Sequence, residues 1–252
     1  MEFSFIEELE HHLLDHVYLP LLRWGGFSLS VSKHVLMMWI AATLLFMIFL
    51  PVARAVRAGR RNTIVNLVEA FVLFIRDEMI LPNTGERGRP YVPYFLSVFF
   101  FILFMNLLGM VPFGATATGN IAVTAALALS TLGLINVAGI RERGFGRYIQ
   151  GLVPPGMPAW LLPLLYPIEI LGLLTKSFAL CIRLFANMIA GHIVILAFLA
   201  LIFIFKTVWI APVSIAAALG ISLLELFVSF LQAYIFTLLS AIFVGGAVHP
   251  QH

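Results

Sequence analysis

Glu169, Lys176 and Arg183 recur at seven-residue intervals inside a long apolar run of this 252-residue chain, with Asn187 one helical turn beyond the arginine. Seven residues are close to two turns of an α-helix, so these four side chains share a face. His192 lies nine residues past Arg183, about 180° around at ~3.6 residues per turn, and looks in another direction. Farther along, Glu225 and Gln232 are again seven apart, with Ser229 between them. Charges within an apolar run are expensive and by default mark an ion path. Arginine stays charged when desolvated, histidine changes charge near neutral pH, and amides and hydroxyls both donate and accept. The set does not suit covalent or metal chemistry. The chain has no nucleophile–base motif and no cysteine–histidine metal spacing; His11, His12 and His16 read as surface residues because no second cluster completes a site. Gly172-Leu-Leu-Thr-Lys176-Ser177 lacks the second glycine of a phosphate loop and lies in an apolar run. No cofactor, metal or nucleotide is therefore expected. The single cysteine, Cys181, reads as a core residue.

The elements that position these residues must sit in lipid. Hydrophobic residues make up 62% of the chain and charged residues 11%, against about a quarter charged in soluble domains. Such a composition leaves too few charges to cover a soluble surface. Residues 1–16 carry Glu2, Glu7, Glu8, Glu10 and Asp15, where a cleaved signal would place positive charge. Apolar runs long enough to span occur at 35–52, 91–111, 121–140, 163–205 and 212–245. The segment 61–80 differs, since Asn62, Asn66, Glu69, Arg76 and Asp77 fall near one helical face. Basic residues orient the chain. Arg54, Arg57, Arg60, Arg61, Arg76, Arg87, Arg89, Arg141, Arg143 and Arg147 fall on one side, and Arg23, Lys33 and Lys206 on the other. The richer side is cytoplasmic. Both ends of 61–80 then face the cytoplasm, which predicts a helix on the membrane surface. The turn through Pro112, Gly114, Gly119 and Asn120 lies outside. The loop holding Gly144, Gly146, Gly151, Pro154, Pro155, Gly156 and Pro158 lies inside.

The expectation is an all-α integral membrane protein forming one domain over 1–252. It comprises an external segment 1–34, an interfacial helix 61–80, five crossings and a hairpin at 163–245. The N-terminus is outside and the C-terminus cytoplasmic. The hairpin is too long for upright spans. Taking Pro167 as a first-turn proline, its first arm runs 39 residues to Phe205, or ~58 Å at ~1.5 Å each. The second runs 34 residues from Pro212 to Gly245, ~51 Å on the same rise. Either length needs strong tilt across a ~30 Å core, which suits a hairpin laid against a large curved partner.

Across an antiparallel hairpin, level residues have numbers that add to a constant. Arg183 with Gln232 and His192 with Glu225 give nearly the same sum, so both pairs can be level. Each pair has two readings, polar glue between helices or part of an ion path. No carboxylate of the chain is level with Arg183, which points to a partner on another subunit. Lys176, ~10 Å nearer the cytoplasmic end, either joins the path or snorkels. Glu69 and its neighbours read as a solvated interfacial face. A secondary transporter is a competing class, but the repeats and broken half-helices usual there are not evident. A proton-path subunit of another redox or motor complex is a further one.

The run Ser177-Phe-Ala-Leu-Cys-Ile-Arg183-Leu-Phe-Ala-Asn187-Met-Ile-Ala-Gly191-His192 resembles the R-L-F-x-N-x-x-x-G signature of subunit a of F-type ATP synthases. Leu231-Gln232-Ala-Tyr-Ile-Phe236 resembles its last-helix motif, and Asn106-Leu-Leu-Gly109-Met-Val-Pro112 its N-L-L-G-x-x-P. With the topology, the likeness covers the chain from about Val35. The resemblance implies a stationary, non-nucleotide-binding proton-channel subunit of the Fo sector in a bacterial inner membrane. Its partners would be a ring of c subunits, peripheral-stalk b-type subunits, the other ATP synthase subunits and lipid, with no nucleic acid. Arg183 falls on the family's essential arginine, Gln232 on its partner glutamine, and Glu169 on a carboxylate of proton release. Asn187, His192 and Glu225 would belong to the proton path, with Lys176 and Ser229 in support. Many bacterial members have glutamate at the position of His192 and histidine at that of Glu225; the reversed order looks like the mitochondrial and alphaproteobacterial type.

Overall fold

The computed structural model describes residues 17–24, 27–111, 116–152, 158–205 and 208–248. Residues 1–16 with their histidines, Pro112 and Gly114, Pro154, Pro155 and Gly156, and Lys206 lie outside that set. The helical membrane architecture is as expected. Among the described residues five helices are long and apolar enough to cross a membrane, and Thr63–Phe74 is not one of them. One feature was not anticipated. Before the first helix, β1 (Val17–Trp24) and β2 (Phe27–Ser32) pair antiparallel, with register shifts on either side of Leu19–Pro20. The F-S-L-S-V-S run alternates apolar and polar residues as a strand does, but at six residues the signal is too short to stand out from the external segment expected at 1–34.

Local signals set the helix ends. Helix α1 (Lys33–Arg57) starts where Ser32 Oγ accepts the Val35 N–H at 3.4 Å, and it ends on Arg54 and Arg57 before Gly59 at positive φ. Helix α2 (Thr63–Phe74) is capped by Asn62, whose side chain accepts the Val65 N–H at 2.8 Å. A π-helical turn at Ile75–Ile80 and a short α3 (Leu81–Thr84) continue it, until Gly85 at φ 64° stops the run. Within that turn Arg76 donates to both carboxylate oxygens of Asp77, at 2.7 and 2.9 Å, which holds this exposed carboxyl below its ordinary value. A 3-10 turn leads into α4 (Val92–Gly109). Helix α5 (Ile121–Arg143) follows, with Asn120 Oδ1 accepting the Ala122 N–H at 2.9 Å. Helix α6 (Phe145–Gln150) folds back so that Tyr148 donates to Asn136 Oδ1 at 3.1 Å. Its ring fills the space a side chain at Gly139 would need, and burial pushes its phenol up.

Helices α7 (Leu162–Phe205) and α8 (Ala211–Val248) are 44 and 38 residues long, ~66 and ~57 Å at ~1.5 Å per residue. Both exceed the lengths expected from sequence. Pro167 is not the first-turn proline of α7; it lies inside the helix. Pro163, second residue of α7, takes that role, where the missing N–H has no intrahelical acceptor to lose.

The chain divides into two compact units. The first comprises Met1–Phe46, Phe101–Thr124 and Arg183–Gln232. Its core holds Ile102, Met105, Leu184 and Met188, with the buried polar residues Asn106, Thr118, Glu225, Ser229 and Gln232. The second comprises Met47–Phe100, Ala125–Ile182 and Ala233–His252. Ile75, Met79, Ile80, Phe95, Phe99, Ile135 and Phe236 form an apolar core there. The carbonyl of Asn83 lies so close to Gly245 that a side chain at that glycine would overlap it.

Candidate functional site

Within the first unit, polar residues from α4, the turn after it, α7 and α8 converge on the imidazole of His192. Its Nδ1 lies 2.8 Å from Glu225 Oε1 and 3.1 Å from the Met188 carbonyl. Its Nε2 lies 2.9 Å from Thr116 Oγ1 and 3.2 Å from the Gly109 carbonyl. Both ring edges are thus engaged. Glu225 is almost wholly buried, at 4% exposure. A buried carboxylate needs a compensating partner, and removing one member of such a pair costs about 3–5 kcal/mol.

Two glycines make the convergence possible. A side chain at Gly191 would overlap the carboxylate of Glu225, and one at Gly109 would overlap Thr116. These are the glycines of the R-L-F-x-N-x-x-x-G and N-L-L-G-x-x-P runs. Their spacing follows from where a neighbouring polar side chain must pass.

Five residues before His192, Asn187 Nδ2 donates to Gln232 Oε1 at 2.8 Å. The sequence puts Gln232 level with Arg183, and the family resemblance implies that the two are partners. The observed pairing is one helical turn farther along α7, and among the described residues Gln232 makes no hydrogen bond to Arg183. Arg183 itself is half-buried and makes no hydrogen bond or ion pair among the described residues. Ser229 is fully buried; its hydroxyl faces Met110 Sδ at 3.7 Å and its carbonyl lies 3.5 Å from Asn106 Nδ2. Asn106, fully buried in α4, accepts from Thr118 at 2.7 Å.

Glu169 and Lys176 fall in the second unit. Glu169 is half-exposed and makes no hydrogen bond or ion pair among the described residues. Lys176 is exposed, with its ammonium 5.4 Å above the centre of the Phe243 ring, a cation–π contact rather than an ion pair.

Known proteins are similar to this sequence. A family model described as ATP synthase A chain matches residues 35–245. The chain belongs to the ATP synthase A chain family. It is similar to ATP synthase subunit a of Chloroherpeton thalassium, 47% identical over 258 residues, covering 96% of this chain and 77% of the relative. The subunit a of Myxococcus xanthus is 52% identical over 237 residues, covering 93% and 78% respectively. That of Anaeromyxobacter dehalogenans strain 2CP-C is 48% identical over 234 residues; the match covers 90% of this chain and 61% of that longer protein.

In this member of the ATP synthase A chain family, sequence reasoning singled out His192 and Glu225 but missed their neighbours. Thr116 and Thr118 gave no periodic signal because they lie in a turn. The one available hint was Asn106, an amide in the middle of an otherwise apolar span.

Proposed function

We propose that the chain is the stationary proton-conducting subunit of a rotary ATP synthase, forming two half-channels against a ring of c subunits and holding no nucleotide itself. Protons enter from outside by way of His192, Glu225, Asn187 and Gln232. They load a ring carboxylate, travel almost a full turn, and leave toward the cytoplasm near Glu169. Arg183 stands between the two paths. Its fixed charge lowers the pKa of an approaching ring carboxylate and so promotes release, and it opposes direct hopping between half-channels. Peripheral-stalk subunits would hold the chain still, and the surface helix at 61–80 would lie on the cytoplasmic side.

Family membership supports this reading, and one observation carries it at the level of residues. Arg183 has no acidic partner in its own chain among the described residues, although it lies in a long apolar helix. A charged residue at the centre of a span costs about 2.5–3.5 kcal/mol even on the mildest scale, so a counter-charge from another subunit is the economical explanation. Arg183→Ala is expected to abolish ATP-driven proton pumping in inverted vesicles. Arg183→Lys should restore little of it, because a desolvated lysine can lose its charge. Near-normal pumping by the alanine variant, with the complex assembled, would rule the reading out.

A further inference from the structure

We infer that Thr116 is a positioning residue for His192, the group that lets the imidazole change charge without turning. The inference rests on the proton-entry role proposed above, and its chemistry comes from the second ring edge. The Gly109 carbonyl, 3.2 Å from Nε2, can only accept. It suits a protonated Nε2 and repels a bare one. The Thr116 hydroxyl, 2.9 Å from the same nitrogen, can do either. When the ring is charged, Nε2–H donates to Thr116 or Gly109, and Nδ1–H donates to Glu225. When the ring passes a proton on and is neutral with Nδ1–H still toward Glu225, Nε2 accepts the Thr116 O–H instead. Both states are hydrogen-bonded in one orientation. No other contact at Nε2 among the described residues can switch in this way.

The surroundings make the assignment specific. Thr116 is 7% exposed, and its side chain stands where a substituent on Gly109 would lie. Thr118, two residues on, is fastened to Asn106 at 2.7 Å, which fixes the turn that carries the hydroxyl. Glu225 on α8 is the titratable group bonded to the ring among the described residues. Helix α4 presents the Gly109 carbonyl, α7 the Met188 carbonyl, and the turn presents Thr116.

Removing the hydroxyl while keeping the shape leaves the neutral ring with an unserved Nε2 facing a carbonyl. The ring then holds its proton to higher pH, and transport that needs release begins later as pH rises. In inverted vesicles containing the assembled complex, ATP-driven acidification measured from about pH 6 to about pH 9 brackets the histidine range. The acid limb of that curve should move up by about one pH unit in Thr116→Val, the size of shift that protein environments commonly impose. Thr116→Ser, which keeps the hydroxyl, should leave the limb in place. Gly109→Ala displaces Thr116 and should move it in the same direction, with no further movement in the double variant Gly109→Ala/Thr116→Val. If Thr116→Val fails to assemble, Thr116→Cys replaces it, because a thiol is a weaker donor and acceptor, and the limb must still rise. An unmoved limb in Thr116→Val, or an equal shift in Thr116→Ser, overturns the assignment. Neither result touches the pumping role, which Arg183→Ala tests separately.

Discussion

At the residue scale the His192–Glu225 pair is the most demanding arrangement in the chain, since it needs one cation, one anion and a glycine beside them. A 2.8 Å contact between Nδ1 and Oε1 does not depend on which helix supplies which group. His192→Glu would put two carboxylates together and drive one pKa upward, while Glu225→His would leave two histidines and no anion. The double exchange restores one of each. Proton transport is therefore expected to fall strongly in each single variant and to recover in good part when both are present, read as a double-mutant cycle on vesicle acidification with assembly verified. A double variant no better than the product of the singles would mean the contact has no functional weight. This pair was legible in the sequence because both residues lie on regular helices whose numbers run in opposite directions. Thr116 was not legible. It is 76 positions from His192 and sits in a turn, and periodicity within one helix says nothing about what another segment brings to it. Gln232 shows the limit of the same arithmetic: constant sums gave a level, but the side chain reached Asn187, one turn beyond the arginine.

At the element scale the hydrophobic runs gave all five long helices, because ~20 apolar residues are a strong signal. Their ends were less readable. Pro167 offers a first-turn signal, but the helix runs back to Leu162 because the apolar run continues upstream of it. The segment 61–80 stands apart from the long apolar runs through its charges. Asn62 caps α2, and the π-helical turn carries the Arg76–Asp77 pair. If 61–80 lies on the cytoplasmic face, cysteines at Arg60 and Arg87, both exposed and clear of the Asn62 cap, should be labelled by a membrane-impermeant thiol reagent from that face only. Labelling of either from outside would mean that the segment crosses, and the crossing count would change.

At the scale of the whole molecule the chain leaves much of its apolar surface uncovered. Only 6% of the most apolar stretch of α1 and 11% of that of α7 is buried, compared with 39% for the span ending at Gly109. Lipid can cover α1; α7 exposes Leu171, Leu174 and Phe178 on one face and Lys176 on another, and the contact with c subunits proposed above would bring a protein neighbour to this helix. In a Cys181→Ala background, Phe178→Cys (64% exposed in the wild type) should cross-link to a neighbouring subunit, whereas Leu180→Cys (2%) should not. Equal yields at both sites would argue against a partner on this face. The unbroken course of α7 has one more effect, which concerns length and not composition. A residue inserted between Asn187 and His192 would turn everything after it by ~100° about the helix axis, swinging the imidazole off Glu225 while every side chain remained present. Substitutions along this rod each risk a single contact. Insertions and deletions alter its phase, so chain length between these two residues should be held more strictly than the identity of the residues between them.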